Sequence, residues 1–130
     1  MTITQKRKTG DFGEDIACEY LRRRGYEVIC RNYLRKWGEI DIVAKINGII
    51  RFVEVKSVTC EISDNNVPCG TYRPEENMHP QKLRRLSKAI QTYLLEEKLG
   101  GVAWQLDLIT VRIDMKKRIA RAEMMENIVI

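Results

Sequence analysis

A chain of 130 residues is long enough for one domain with a single core and too short for two. Apolar residues make up 44% and charged residues 32%, an ordinary balance for a soluble globular protein, and no apolar run approaches the length of a membrane span. The basic start, Met1 to Lys8, has no apolar segment behind it, so no secretory signal is expected, and the expected location is the cytoplasm. A formal net charge of +5 and a pI of about 9.1 are compatible with a polyanionic partner. Four cysteines stand at 18, 30, 60 and 69. Cys60, Cys69 and His79 match no zinc spacing, and free thiols are expected throughout.

Residues 1–8 read as a flexible basic tail, either solvated or lying on phosphate. A helix is predicted from Thr9 to Arg24, because Phe12, Ile16, Ala17, Tyr20 and Leu21 fall on one arc at 100° per residue. Gly25 suits its end, and Arg22, Arg23 and Arg24 suit the negative end of its dipole. Glu14 falls at the edge of the apolar stripe, placed either to favour the helix N-terminus or to face a site on the sheet. Tyr26 to Tyr33 reads as a strand with Val28 inward. Arg31, Arg35 and Lys36 then cluster before an acidic stretch, where positive charge attracts a phosphate backbone. Trp37 is expected to pack against the sheet, with stacking on a base as the alternative.

Residues 38–56 form the informative stretch. Two β-rich runs flank Asn47-Gly48, the pair that favours a two-residue type I′ hairpin because both positions need φ > 0. Counting outward from that loop sets Asp41 opposite Glu54 and Glu39 opposite Lys56. One face then reads Ile40, Ile42, Ala44, Ile46 against Ile49, Arg51, Val53, Val55, and belongs on a core. The other carries the acids and Lys56, with Val43 and Phe52 beside them. Facing carboxylates repel, and a hard divalent cation resolves that conflict. A solvated polar face with a Glu39–Lys56 ion pair is the plainer alternative.

Residues 57–79, with Ser63 to Asn66, Pro68, Gly70 and Pro74, read as a long loop. Pro80 opens a second helix whose apolar stripe includes Leu83, Leu86, Ile90, Tyr93 and Leu94, and Gly100-Gly101 ends it. Its polar side carries Lys82, Arg84, Arg85 and Lys88. Val102 to Ile113 alternates as a further strand in which Asp107 is expected to cap or buttress the first helix. Arg118 to Ile130 fits a short strand or a helix equally well. The order α-β-β-β-α-β gives one α/β domain over residues 1–130, with a central mixed sheet and helices on both sides.

Asp41 followed by Glu54-Val55-Lys56 fits the Asp…Glu-x-Lys pattern of the restriction-endonuclease-like superfamily. The fuller run is Gly13-Glu14-Asp15-Ile16-Ala17, Tyr20-Leu21, Gly25-Tyr26, Arg31-Asn32-Tyr33, Gly38-Glu39-Ile40-Asp41 and Phe52-Val53-Glu54-Val55-Lys56. It resembles the YraN-like family of small bacterial proteins and, more distantly, the archaeal Holliday-junction resolvases. The resemblance implies a restriction-endonuclease-like domain and a divalent-metal-dependent nuclease acting on DNA, with branched or junction DNA among the candidate substrates. By that likeness Asp41, Glu54 and the Val55 carbonyl hold Mg²⁺ or Mn²⁺, Lys56 and Glu14 complete the catalytic set, and Lys82 contacts phosphate. Arg85, Arg31, Arg35 and Lys36 are further candidates for nucleic-acid contact, and a resolvase-like role implies a homodimer. The family's arginine after Glu-x-Lys is replaced by Ser57-Val58, for which Tyr72 and Arg73 are the candidate substitutes. A nucleic-acid-binding adaptor without catalysis is the alternative on the same fold.

Overall fold

The computed structural model describes residues 3–62 and 78–129, with the side chains of residues 3–10 left aside. Its elements, in chain order, are α1 (Ile3–Arg23), β1 (Glu27–Arg35), β2 (Gly38–Ile46), β3 (Ile49–Thr59), α2 (Pro80–Glu96), β4 (Trp104–Asp114) and β5 (Ile119–Met125). The five strands lie in sequence order in one sheet. All neighbours are antiparallel except β3 and β4, which run parallel through the α2 crossover, as expected. The fifth strand resolves the ambiguity at the C-terminal end. No helix among the described residues is long and apolar enough to cross a membrane.

Both faces of the sheet are covered. On one, α1 buries Ala17, Cys18 and Leu21 against Ile42, Ala44, Val53, Ile109, Val111 and Ile113. On the other, α2 buries Leu86, Ala89, Ile90, Tyr93 and Leu94 against Ile40, Val43, Phe52 and Leu106. The hairpin face expected to be polar is thus half core: Val43 and Phe52 are fully buried beneath α2. β4 lies between β3 and β5 and is buried along nearly its whole length, as parallel strands covered on both sides are.

The hairpin register is the one read from Asn47-Gly48. Ile46 faces Ile49, Ala44 faces Arg51 and Ile42 faces Val53. Asn47 and Gly48 have φ of 52° and 76°, both left-handed as a type I′ turn needs. Beyond Ile42 and Val53 the ladder stops, so the Asp41–Glu54 and Glu39–Lys56 pairings do not form as ladder pairs.

Several expectations are corrected. Helix α1 begins at Ile3, so residues 3–8 are helical rather than a tail. Phe12 is half exposed and outside the core, because the core stripe of α1 begins one turn later. Asp107 does not cap α1. It is fully buried, holds Arg51 at 2.9 Å, and accepts from the Gln105 side chain and the Asn127 N–H. The same guanidinium reaches Glu126 at 2.9 Å, tying β3, β4 and the C-terminal segment together. Cys18 and Cys30 are free, but Cys60 is disulfide-bonded. A composition argument addresses whether a core needs a cross-link, not whether geometry permits one. The Ser63 to Pro74 turn residues, Cys69, Tyr72 and Arg73 lie outside the described residues.

Two glycines mark close approaches. A Cβ on Gly38 would lie 2.5 Å from the Arg85 carbonyl oxygen, and one on Gly13 would lie 1.8 Å from Ser57 Oγ. Gly38 therefore lets the start of β2 press against the α2 backbone. Gly38→Ala is expected to force the helix away and to cost about 1–3 kcal/mol, the usual penalty for overpacking. Thermal denaturation should show a melting temperature several degrees lower, and an unchanged value would show that α2 can shift without cost.

Candidate acidic site at the opening of the hairpin

The site begins with a local break in strand alternation. Arg31 and Ile42 pair across β1 and β2, as do Tyr33 and Ile40. Arg31 reaches α1 acids and Ile42 packs under α1, whereas Tyr33 and Ile40 pack on the α2 side. Residues two apart should share a face, so both strands change faces between these pairs. Asn32 lies at the change with φ of 54°, a left-handed value that asparagine tolerates better than most residues. Asp41 is the residue of β2 between Ile40 and Ile42.

Where β2 and β3 part, the Asp41 carboxylate takes over the missing backbone partner. The Val55 N–H donates to Asp41 Oδ2 at 2.8 Å. Glu54, only 8% exposed, turns to the α2 side and accepts an ion pair from Lys82 Nζ at 2.9 Å. Gly38, Glu39, Asp41, Glu54, Lys82, Arg85 and Leu86 line a concavity of about 280 Å³. Glu14 approaches from α1. With its amide nitrogen turned toward the acids, Asn32 donates to Glu14 Oε1 and to Glu39 Oε1, each at 3.1 Å.

Burial pushes the Asp41 carboxyl up to about 8, the neighbouring Glu54 charge adds to the rise, and the Val55 hydrogen bond opposes it. Glu14 and Glu39 raise it further. Burial likewise raises Glu14 above the usual carboxylate range, against the pull of Arg31. Asp41 therefore sits among carboxylates with a backbone N–H as its hydrogen-bond partner, and no ion pair reaches it among the described residues. That is a deficit of positive charge.

Of the residues expected here, Asp41, Glu54, Lys82 and Arg85 are brought together, with Glu14 at the rim. Lys56 is partly buried on β3 opposite Thr110 of β4, and among the described residues nothing pairs with its ammonium. The expected Glu39–Lys56 ion pair is therefore absent among those residues. Val55 pairs with Ile109. Arg31 is held by Asp15 at 2.8 Å and Glu14 at 3.6 Å. Arg35 makes a two-pronged contact with Glu96 and lies over the Tyr33 ring. Lys36 is exposed in the turn between β1 and β2. The sequence reading missed Asn32, whose neighbours on β1 gave no sign of a left-handed residue.

Among the described residues no three His, Cys, Asp or Glu side chains are arranged to hold a metal ion. A divalent ion here would have two carboxylates, Asp41 and Glu54, as its side-chain ligands. One or two carboxylates, completed by water and phosphate oxygens, is the usual set for Mg²⁺, and the charge deficit at Asp41 fits a hard cation.

Comparison with known proteins places the chain among relatives. A family model described as "Uncharacterised protein family UPF0102" matches residues 13–115. A UPF0102 protein of Persephonella marina is 39% identical over 102 residues, covering 78% of this chain and 81% of the relative. One of Campylobacter lari is 38% identical over 102 residues, covering 78% and 81%. One of Helicobacter hepaticus is 35% identical over 106 residues, covering 82% and 86%. The match takes in both strands of the acidic hairpin and α2.

The raised Asp41 carboxyl gives a pH test in metal-free protein. In the native chain Asp41 keeps its proton to about pH 8, whereas an unfolded aspartate loses it near 3.9. Between those values unfolding releases a proton, so raising the pH favours the unfolded chain. Asp41→Asn removes that slope while still accepting from Val55. The variant should gain stability over wild type as pH rises from 5 to 8, by about 1–3 kcal/mol or several degrees in melting temperature. A difference constant with pH would mean that Asp41 is ionised throughout.

Proposed function

The chain belongs to the UPF0102 family, the YraN-like family that its motifs resemble, and on that footing we propose that it is a divalent-metal-dependent nuclease hydrolysing DNA phosphodiesters. The observation that supports this reading is the Asp41 carboxyl, held beside Glu54 where the hairpin opens and reached by no ion pair among the described residues. Asp41 and Glu54 would hold Mg²⁺ or Mn²⁺, with the Val55 carbonyl as a further ligand. When bound, such a metal polarises the scissile phosphate and lowers the pKa of a coordinated water.

The remaining work falls to the chain's own groups. Lys56, without an ion-pair partner among the described residues, would stabilise charge developing on the phosphoryl oxygens. Glu14, tied to Glu39 through the Asn32 amide, would orient the attacking water. Lys82 and Arg85, on the α2 wall of the concavity, would contact phosphates. Arg31 and Arg35 are already satisfied by acids, so their part would be to brace the strand that carries Asn32.

Divalent-dependent cleavage by purified protein, tested on branched and linear DNA, is the deciding measurement. Asp41→Asn or Glu54→Gln should abolish it. Mg²⁺ or Mn²⁺ should raise the melting temperature of wild type but not of either variant, because a ligand that binds only the native state stabilises it. Lys56→Ala should bind DNA nearly as well and cleave about a hundredfold more slowly or worse, the loss expected when a transition-state contact is removed. Lys82→Ala should weaken binding to all sequences alike and lower the slope of log affinity against log salt by about one. Salt-dependent binding without cleavage would favour the adaptor reading, and absence of both would refute each.

A further inference from the structure

Helix α2 carries a cationic track away from the acidic concavity. Four cations, Lys82, Arg84, Arg85 and Lys88, occur between Pro80 and Leu95, and no acid does. Lys82 is spent on Glu54, but Arg84, Arg85 and Lys88 enter no ion pair among the described residues. Three shallow concavities adjoin along this helix through shared walls. Arg85 belongs both to the acidic one and to the next, of about 380 Å³. Lys88 belongs to that one and to a third, of about 450 Å³, bordered by Trp37 and Leu95.

Trp37 ends the track in a fixed pose. Its indole N–H donates to Thr92 Oγ1 at 3.2 Å, and that hydroxyl donates onward to the Lys88 carbonyl at 2.8 Å. The residue nonetheless remains 42% exposed. It is pinned by its polar edge and leaves ring surface open beside a lysine.

We infer that α2 is a track for single-stranded DNA, with phosphates along Arg85, Arg84 and Lys88 and an unpaired base stacked on Trp37. This rests on the nuclease reading of the acidic site and adds to it the class of substrate. Charge complementarity selects a polyanion, and the exposed indole selects a free π-face, which bases inside a duplex do not offer. The spacing is set by the fold. Trp37, in the turn before β2, lies four residue steps from Asp41, about 13 Å at roughly 3.3 Å per extended step. Lys82, on Glu54, lies ten helical steps from Thr92, on Trp37, about 15 Å at 1.5 Å each. Either route spans at most about four nucleotides, the count at the stacked B-form rise of roughly 3.4 Å per nucleotide, and an extended unpaired strand covers it with fewer. A strand whose phosphate lies at the acids thus reaches Trp37 only if the few nucleotides beyond it, at most about four, are unpaired.

The test uses the full chain with Ca²⁺ in place of Mg²⁺ to prevent turnover, and duplexes that are blunt or carry single-stranded overhangs of one or six thymidines. Wild type should bind the six-nucleotide overhang about tenfold tighter than the other two, with quenching of tryptophan emission. Trp37→Phe should keep the preference but lose the quenching, since Trp104 is the other tryptophan and lies partly buried at the far end of β4. Trp37→Ala should lose the preference while keeping salt-dependent binding to the blunt duplex. Equal affinity of wild type for all three duplexes, or a preference without quenching, overturns the track and leaves the nuclease reading standing. Failure to bind any of them overturns both.

Discussion

Everything distinctive about this molecule depends on one hydrogen bond, from the Val55 N–H to the Asp41 carboxylate. An antiparallel pair that parts leaves backbone donors without partners, and a buried unpaired donor is costly. Here a side chain supplies the acceptor. The strands can therefore separate within a well-packed sheet, and the gap faces Glu54 and Lys82 rather than apolar side chains. The same bond holds Asp41 in surroundings where its charge is disfavoured. The bond itself favours that charge, but burial and the neighbouring carboxylates outweigh it.

The frame around this opening is rigid for ordinary reasons. Two helices cover the two faces of the sheet, so the central strands carry apolar side chains in both directions. Gly38 and Gly13 allow contacts that any Cβ would prevent, one against α2 and one against β3. Arg51, Asp107 and Glu126 lock the far end of β3 to β4 and to the segment after β5. Asp107 is among the most buried charges in the chain, and its partners leave it well satisfied.

The hairpin was legible because two adjacent residues, Asn47 and Gly48, need positive φ and so fix the register as far as Ile42 and Val53. The acid cluster was legible from the same count, together with the family motif. Its geometry was not. Strict alternation placed Ile40 and Ile42 on one face, whereas a left-handed Asn32 turns the strands between them. A single φ inversion leaves no trace in hydrophobic periodicity. The start of α1 was missed because residues 3–8 carry no apolar stripe to signal a helix. The ion pair of Lys82 with Glu54 was not legible, since a contact between α2 and β3 is tertiary information. For Trp37 packing was expected with base stacking as the alternative, and its hydrogen bond to Thr92 of α2 is likewise tertiary information.

The Glu54–Lys82 ion pair has an implication that reaches past its own strength. Each member occupies the other's binding capacity. Any cation that takes Glu54 releases an ammonium, and any anion that takes Lys82 releases a carboxylate. Coupling between two ligands is reciprocal, so positive and negative ligands arriving at this concavity should assist one another, and either alone should bind more weakly than its contacts would suggest. The resting protein holds its own internal salt, and only a matched pair of ions displaces it without leaving a bare charge behind.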